Sequence, residues 1–326
     1  MYSYISVLAT DDYLDGILVL NHSLKQVKSK YPFLVIVTSN ISKSTLDLLS
    51  RNGIQYEIVE FLKNPTFVQD SAKANRGAPD VVPQWYFTYS KLHIFGLEKF
   101  DKLVYLDADM LVYMNIDELF NKPHMSAVNA GGMLPKLQSW TSFNSGLMVI
   151  EPSLNLYNDM MNKVGNLENF NFGGDQDFLQ AYYPTWPENK ELHLDHRYNI
   201  FCDHLNQYIS LFNYTLDDRI NEKSIKVVHY TGKLKPWHQK EKLSKLNNRI
   251  LLNIDLRYLS KNIKLLVENI IYLFLRKDEK LEYINRLYYV NKALKQSIYP
   301  NYINKALKQW MDYYWDLNDQ PSRNRV

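Results

Sequence analysis

The segment YLDADMLV, residues 105–112, closes an apolar run with two aspartates, Asp107 and Asp109, on either side of Ala108. Side chains two apart on an extended chain face the same way, so both carboxylates can converge on one cation. Oxygen-rich sites of this kind suit Mg²⁺ or Mn²⁺, which complete their octahedra with the phosphate oxygens of a substrate. Aspartate pairs also cap helices and line solvated loops, but a buried apolar strand has little structural reason to end in two of them. Far downstream, KVVHYTGKLKPW gives a second short strand ending in His229, then a glycine turn with Lys233 and Lys235. An imidazole at that edge can supply a third metal ligand, and backbone amides and cations around Gly232 and Lys235 can cradle a diphosphate. Between these segments, FNSGLMVIEPS sets Asn144 and Ser145 before an apolar strand, and NFGGDQDFLQ sets Asp175 and Gln176 at a helix start. Asp and Gln are also ordinary first-turn helix residues, while hydroxyl-rich ligands want the same groups.

Such groups need a frame that brings distant segments together. Apolar runs at Tyr4–Thr10, Leu34–Ser39 and Ile54–Glu60 alternate with helical stretches at Asp12–Lys28 and Ser42–Arg51, and Leu103–Leu106 continues the series. The alternation predicts an α/β class with a mainly parallel central sheet covered on both faces. Ligands bind such sheets beyond the carboxyl ends of the strands, which points to the residues after Ala9, Leu106 and Val228. All three places carry polar residues. Beyond about Gln239 glycine vanishes and Lys, Asn, Tyr and Leu dominate, so the division expected is an α/β domain at 1–240 and a helical extension at 241–326. Within the extension YVNKALKQ (289–296) returns as YINKALKQ (302–309), which reads first as a short duplicated helix packing on the main domain and second as a basic, aromatic-rich amphipathic surface for a membrane or a partner. The long segment Lys63–Gln84, with three prolines, reads as a lid, an acceptor wall or a plain connection.

Composition narrows the function classes. The chain has 326 residues, 46% apolar and 22% charged, with a formal charge of +3, which is ordinary for a globular protein and demands no nucleic-acid partner. A single cysteine, Cys202, excludes an internal disulfide framework and fits a cytoplasmic location with an inert buried thiol. The start MYSYISVLAT reads as a strand rather than a secretion signal. The tract Leu265–Leu275 carries Glu268 and Asn269 and is far short of the ~20 apolar residues of a span, so no transmembrane segment is expected. A homodimer is compatible with the sequence.

The motifs taken in order resemble the family 8 glycosyltransferases, the retaining GT-A-fold group that includes glycogenin and galactinol synthases. The resemblance runs through LATDDYLDG, YSKLHIF, YLDADMLVYMNIDELF, FNSGLMVIEPS, GGDQDFLQ, RYN and VVHYTGKLKPW, about Ser3 to Trp237. It implies a UDP-hexose donor, glucose or galactose, and Mn²⁺ or Mg²⁺ held by Asp107, Asp109 and His229. It implies Leu8, Thr10, Asp11 and Tyr13 around the uracil and ribose, and Lys91 near the donor phosphates and sugar. Ala108 counts with the donor contacts, Gly232 and Lys235 with the diphosphate, and Asn144, Ser145, Asp175 and Gln176 with the transferred sugar. Asp175, Gln176 and Lys91 are the expected catalytic groups, Asp175 positioning the sugar first and serving as nucleophile second.

Departures from the pattern qualify what it implies. The stretch Thr10–Gly16 is one residue shorter than in glycogenin, Phe172 replaces a sugar-facing aspartate, and Asn206 stands where glycogenin has its self-glucosylated tyrosine, with Tyr208 out of register. Self-priming is therefore disfavoured. The acceptor, a sugar, polyol, glycan or protein, stays open. A non-catalytic UDP-sugar-binding scaffold is the alternative of another class, against which the intact aspartates and Lys91 speak. A nucleotidyltransferase would need a Gly-rich loop that Thr10–Gly16 does not provide.

Overall fold

The computed structural model describes residues 1–63, 83–134, 137–165, 174–216, 221–231, 235–239 and 302–318. The chain opens with β1 (Tyr2–Leu8), α1 (Leu14–Gln26), β2 (Phe33–Thr38), α2 (Lys43–Arg51) and β3 (Gln55–Val59). A 3-10 stretch (Pro83–Gly96) leads to β4 (Lys102–Leu106), β5 (Met110–Val112), β6 (Ala127–Asn129) and β7 (Phe143–Ile150). Then come α3 (Leu154–Gly165), α4 (Asp175–Tyr182), β8 (His193–Leu194), β9 (Ile200–Phe201), α5 (Leu205–Phe212), β10 (Val227–His229) and α6 (Tyr302–Asn318).

The α/β class expected from the sequence is the one observed. Seven strands form one sheet in the order β3-β2-β1-β4-β7-β6-β8. The pairs β3-β2, β2-β1, β1-β4 and β6-β8 are parallel, while β4-β7 and β7-β6 are antiparallel. β2 (FLVIVT) and β7 (FNSGLMVI) are buried almost throughout, as strands covered on both faces must be. α1 turns Leu14, Ile17, Leu18 and Leu24 inward, and α2 starts where Ser42 Oγ accepts a hydrogen bond from the Thr45 amide.

A second, three-stranded sheet positions the chemistry. β10 pairs antiparallel with β5 and parallel with β9, setting His229 opposite both Met110 and Phe201. The Asp107–Asp109 turn is fastened from two sides, since the Asp107 amide donates to Gly146 O at 2.8 Å and the Tyr230 amide to Asp109 O at 2.9 Å. Two expectations change here. The aspartates lie in a turn closed by the Met110 amide on Asp107 O, 3.2 Å, so the turn rather than strand alternation makes them converge. Asn144 and Ser145 lie inside β7 rather than ahead of it, because the backbone ladder begins at Phe143, opposite Asn129.

The first copy of the repeat and the tract Leu265–Leu275 lie outside the described residues, as do residues 64–82 of the proline-containing segment. The second copy opens α6, which packs against α1 and α5 through Ala306, Trp310 and Met311. No helix among the described residues is long and apolar enough to cross a membrane. Cys202 is buried, and burial pushes its thiol pKa up, which keeps it protonated and unreactive.

One polar knot holds the base of the sheet to the loop after α1. The Asp117 carboxylate accepts from Tyr4 OH (2.9 Å), Ser29 Oγ (2.9 Å), the Lys30 amide (3.0 Å) and Asn115 Nδ2 (3.1 Å). Burial alone would raise its pKa; the hydrogen bonds outweigh burial and hold it below the usual carboxylate value. A depressed carboxylate contributes stability above its unfolded pKa of about 3.9 and loses it as pH falls through the folded value. Asp117→Asn is expected to cost about 1–3 kcal/mol at neutral pH, since an amide places a donor against donors. Urea melts should show that gap narrowing as pH is lowered from about 7 towards about 2.5, and a constant gap would refute the assignment.

Candidate active site

The carboxyl ends of β1 and β4, the start of β7, the first turn of α4 and the segment after β10 enclose one cavity of ≈ 680 Å³. Its lining includes Thr10, Tyr13, Lys91, Asp107, Ala108, Asp109, Asn144, Ser145, Asp175, Gln176, His229 and Lys235, so most of the residues singled out in the sequence share one wall.

At its floor, His229 Nε2 lies 3.2 Å from Asp109 Oδ1 and 3.6 Å from Asp107 Oδ2, and one ligand atom from each of the three falls within 4.8 Å of the others. Two carboxylates and one imidazole, converging and largely buried, form a donor set that fits a single divalent cation. Lys235 Nζ sits 2.6 Å from Asp109 Oδ2 and donates to Tyr230 O at 2.9 Å. Burial alone would raise the Asp109 pKa, but His229 and Lys235 hold it well below the carboxylate range. Asp109 therefore stays ionised.

Lys91 forms the second charged centre. Its Nζ lies 2.6 Å from Asp175 Oδ2 and 3.1 Å from Asp107 Oδ1, and it donates to Ser145 O and Oγ at 3.3 Å each. Burial alone would lower its pKa, yet Asp107 and Asp175 together raise it, so it is a fixed cation. Ser145 Oγ also donates to Asp175 Oδ2 at 2.8 Å, and Tyr105 OH to Asp107 Oδ1 at 2.5 Å. Beside them Gln176 Oε1 accepts from Asn144 Nδ2 (2.9 Å) and the Ser145 amide (3.1 Å).

Two glycines let these parts approach. A Cβ on Gly16 would stand 2.3 Å from Ala108 O and 3.0 Å from the Trp237 ring, so α1 reaches the aspartate turn only without a side chain there. A Cβ on Gly146 would stand 2.5 Å from His229 Cε1.

At the other end of the cavity, the Tyr13 ring meets Trp237 edge-on at 5.2 Å, and His238 Nε2 pairs with Asp12 Oδ2 at 2.9 Å. Of the four residues expected around a uracil and ribose, Thr10 and Tyr13 line the cavity and Leu8 and Asp11 do not. Leu8 is fully buried among Leu14, Ile17, Val35 and Val37, and Asp11 accepts from the Ser42 amide (3.1 Å) and Ser42 Oγ (3.0 Å), tying the β1 loop to α2. Gly232 and Phe172 lie outside the described residues. The sequence reading missed Asp12, Thr88, Tyr105, Trp140 and His238 in the lining, and Asn199 behind His229. Asp12 and His238 each adjoin a motif residue, which was the available signal.

The model of the family described as "Glycosyl transferase family 8" matches residues 4–241. The chain belongs to that family. Over 247 residues it is 31% identical to inositol phosphorylceramide glucuronosyltransferase 1 of Arabidopsis thaliana, covering 72% of this chain and 42% of that protein. It is also 31% identical to Homo sapiens glycogenin-1 over 238 residues, 72% of this chain and 62% of the relative. The family 8 chain thus spans less than two thirds of these relatives. A solved structure of galactosyltransferase LgtC with donor and acceptor sugar analogues has a TM-score of 0.49 at 17% identity, covering 73% of this chain and 90% of that one. The GT-A fold expected for the family is realised here by the parallel β3-β2-β1-β4 half-sheet with its antiparallel neighbour β7.

Proposed function

We propose that this family 8 chain is a metal-dependent, retaining hexosyltransferase that takes its sugar from a UDP-sugar. The observation that carries this reading is the convergence of Asp107, Asp109 and His229 with Lys235 and Lys91 beside Asn144, Ser145, Asp175 and Gln176. A divalent ion at the three ligands, Mn²⁺ or Mg²⁺, would supply Lewis-acid stabilisation of a diphosphate leaving group. Lys235 adds a fixed cation beside that group, a preorganised electrostatic contribution that needs no rearrangement during reaction. Asn144, Ser145 and Gln176 offer amide and hydroxyl groups to a sugar. Asp175 is held by both Lys91 and Ser145 through Oδ2, an arrangement that favours orientation of a sugar hydroxyl over nucleophilic attack. Thr10 and Tyr13, with Asp12 and His238, form the nucleoside end.

Self-glycosylation is disfavoured at the glycogenin position, which is Asn206, and at the nearby Tyr208, which is 4% exposed and whose hydroxyl accepts from the Met133 amide at 3.1 Å. UDP release should be measured with UDP-glucose, UDP-galactose and UDP-glucuronate, the last because a relative is a glucuronosyltransferase. The expected result is turnover of one donor with Mn²⁺ and none with EDTA. Tight UDP binding with no donor consumed, even in the presence of sugar and polyol acceptors, would favour the scaffold reading.

A further inference from the structure

Asn199 stands just ahead of β9, 6% exposed, and reaches neither the carboxylates nor the cavity lining. Its Oδ1 lies 3.0 Å from His229 Nδ1, and its Nδ2 donates to Asn144 Oδ1 at 2.7 Å. The polarity of this chain of contacts is fixed by two backbone amides, which can only donate. The Gly146 amide donates to Asn144 Oδ1 at 3.0 Å, and the Ser145 amide to Gln176 Oε1 at 3.1 Å. Asn144 must therefore present its oxygen to Gly146 and its NH₂ to Gln176. Asn199, facing that oxygen, must present its own NH₂, which turns its Oδ1 to His229. A carbonyl oxygen there requires a proton on His229 Nδ1. Nε2 is then the ring nitrogen that faces Asp107 and Asp109.

We propose that Asn199 is a positioning residue: it holds a proton on His229 Nδ1, which leaves Nε2 as the nitrogen offered to a cation, and couples that ligand through Asn144 to Gln176. The proposal rests on the metal site of the preceding reading, but the tautomer itself does not. Hydrogen-bonded partners behind a ligating histidine orient the ring and raise its basicity, and losing one typically costs about 10–100-fold in metal affinity.

The test separates the tautomer from the metal. In protein labelled with ¹⁵N-histidine, the ring nitrogens of His229, assigned by their loss in His229→Asn, should show a protonated Nδ1 before any metal is added. Mn²⁺ affinity, read from the electron paramagnetic resonance of the free ion without UDP, should fall about 10–100-fold in Asn199→Leu and clearly less in Asn199→Asp, whose carboxylate still accepts from Nδ1–H although it no longer donates to Asn144. An unprotonated Nδ1 in the unaltered protein would overturn the proposal, as would equal losses in the two variants or an unchanged Asn199→Leu. If the unaltered protein binds no Mn²⁺ while His229 carries its proton on Nδ1, the metal reading fails and the tautomer assignment stands. Should Asn199→Leu fail to fold, the wild-type tautomer and Asn199→Asp still decide.

Discussion

Asp109→Ala is expected to lower UDP-sugar turnover by about 10³-fold or more, equivalent to about 4 kcal/mol of transition-state stabilisation at 1.36 kcal/mol per tenfold. Its two carboxylate oxygens serve different partners: Oδ1 faces His229 Nε2 and Oδ2 faces Lys235 Nζ. One substitution thus removes a candidate metal ligand and releases the Lys235 cation proposed to face the diphosphate. It also leaves Lys235, 3% exposed, without its carboxylate. An uncompensated buried charge costs about 3–5 kcal/mol, so lost activity could reflect lost folding. The double variant Asp109→Ala/Lys235→Met separates the two. Removing both members of a buried pair is often nearly neutral, so the double variant should regain most of the stability and none of the turnover. Retention of more than about a tenth of wild-type turnover in Asp109→Ala, a loss under about 1.4 kcal/mol, would remove Asp109 from the machinery.

What the sequence made legible follows from chemistry placed where packing gives no reason for it. Asp107, Asp109 and His229 end apolar runs, and polar groups at such points stand out. Their meeting was not legible, because it depends on β10 pairing with β5 in the register that sets His229 opposite Met110. Leu8 and Asp11 show the opposite case. Both sit in a motif, but Leu8 points into the core between the sheet and α1, and Asp11 spends its carboxylate on the start of α2. Asn199 lay in the recognised RYN triplet without a role, because its role is written in the direction of neighbouring backbone amides. Asn144 and Ser145 read as preceding a strand because they are polar. Backbone ladders do not depend on side-chain polarity, and β7 runs straight through them.

The extension illustrates how far pattern alone reaches. The helical text of residues 302–318 was readable, and its partner was not. In the fold, Ala306 and Trp310, one turn apart, are both fully buried on one face of α6, and Met311 is 2% exposed. Trp310 stacks on Tyr314 at 5.5 Å and lies 5.8 Å from Trp237, whose ring meets Tyr13 at the cavity wall. Trp237 is flanked in sequence by the segment that carries Lys235 and His238. Packing on α6, outside the 4–241 family match, therefore braces the end of the cavity lined by Tyr13 and His238. Trp310→Ala is expected to cost about 3–5 kcal/mol in urea unfolding, the usual range for deleting a fully buried tryptophan. Trp310→Phe should cost much less. It keeps most of the ring, and it removes an indole N–H that is buried with no hydrogen-bond partner among the described residues, which offsets part of the lost volume. Under conditions where Trp310→Ala remains folded, the donor KM should rise more than kcat falls, because the loosened Trp237 segment places Lys235 and His238 without touching the sugar end. An unchanged donor KM in the folded variant would make α6 a stabilising cover with no hold on the site.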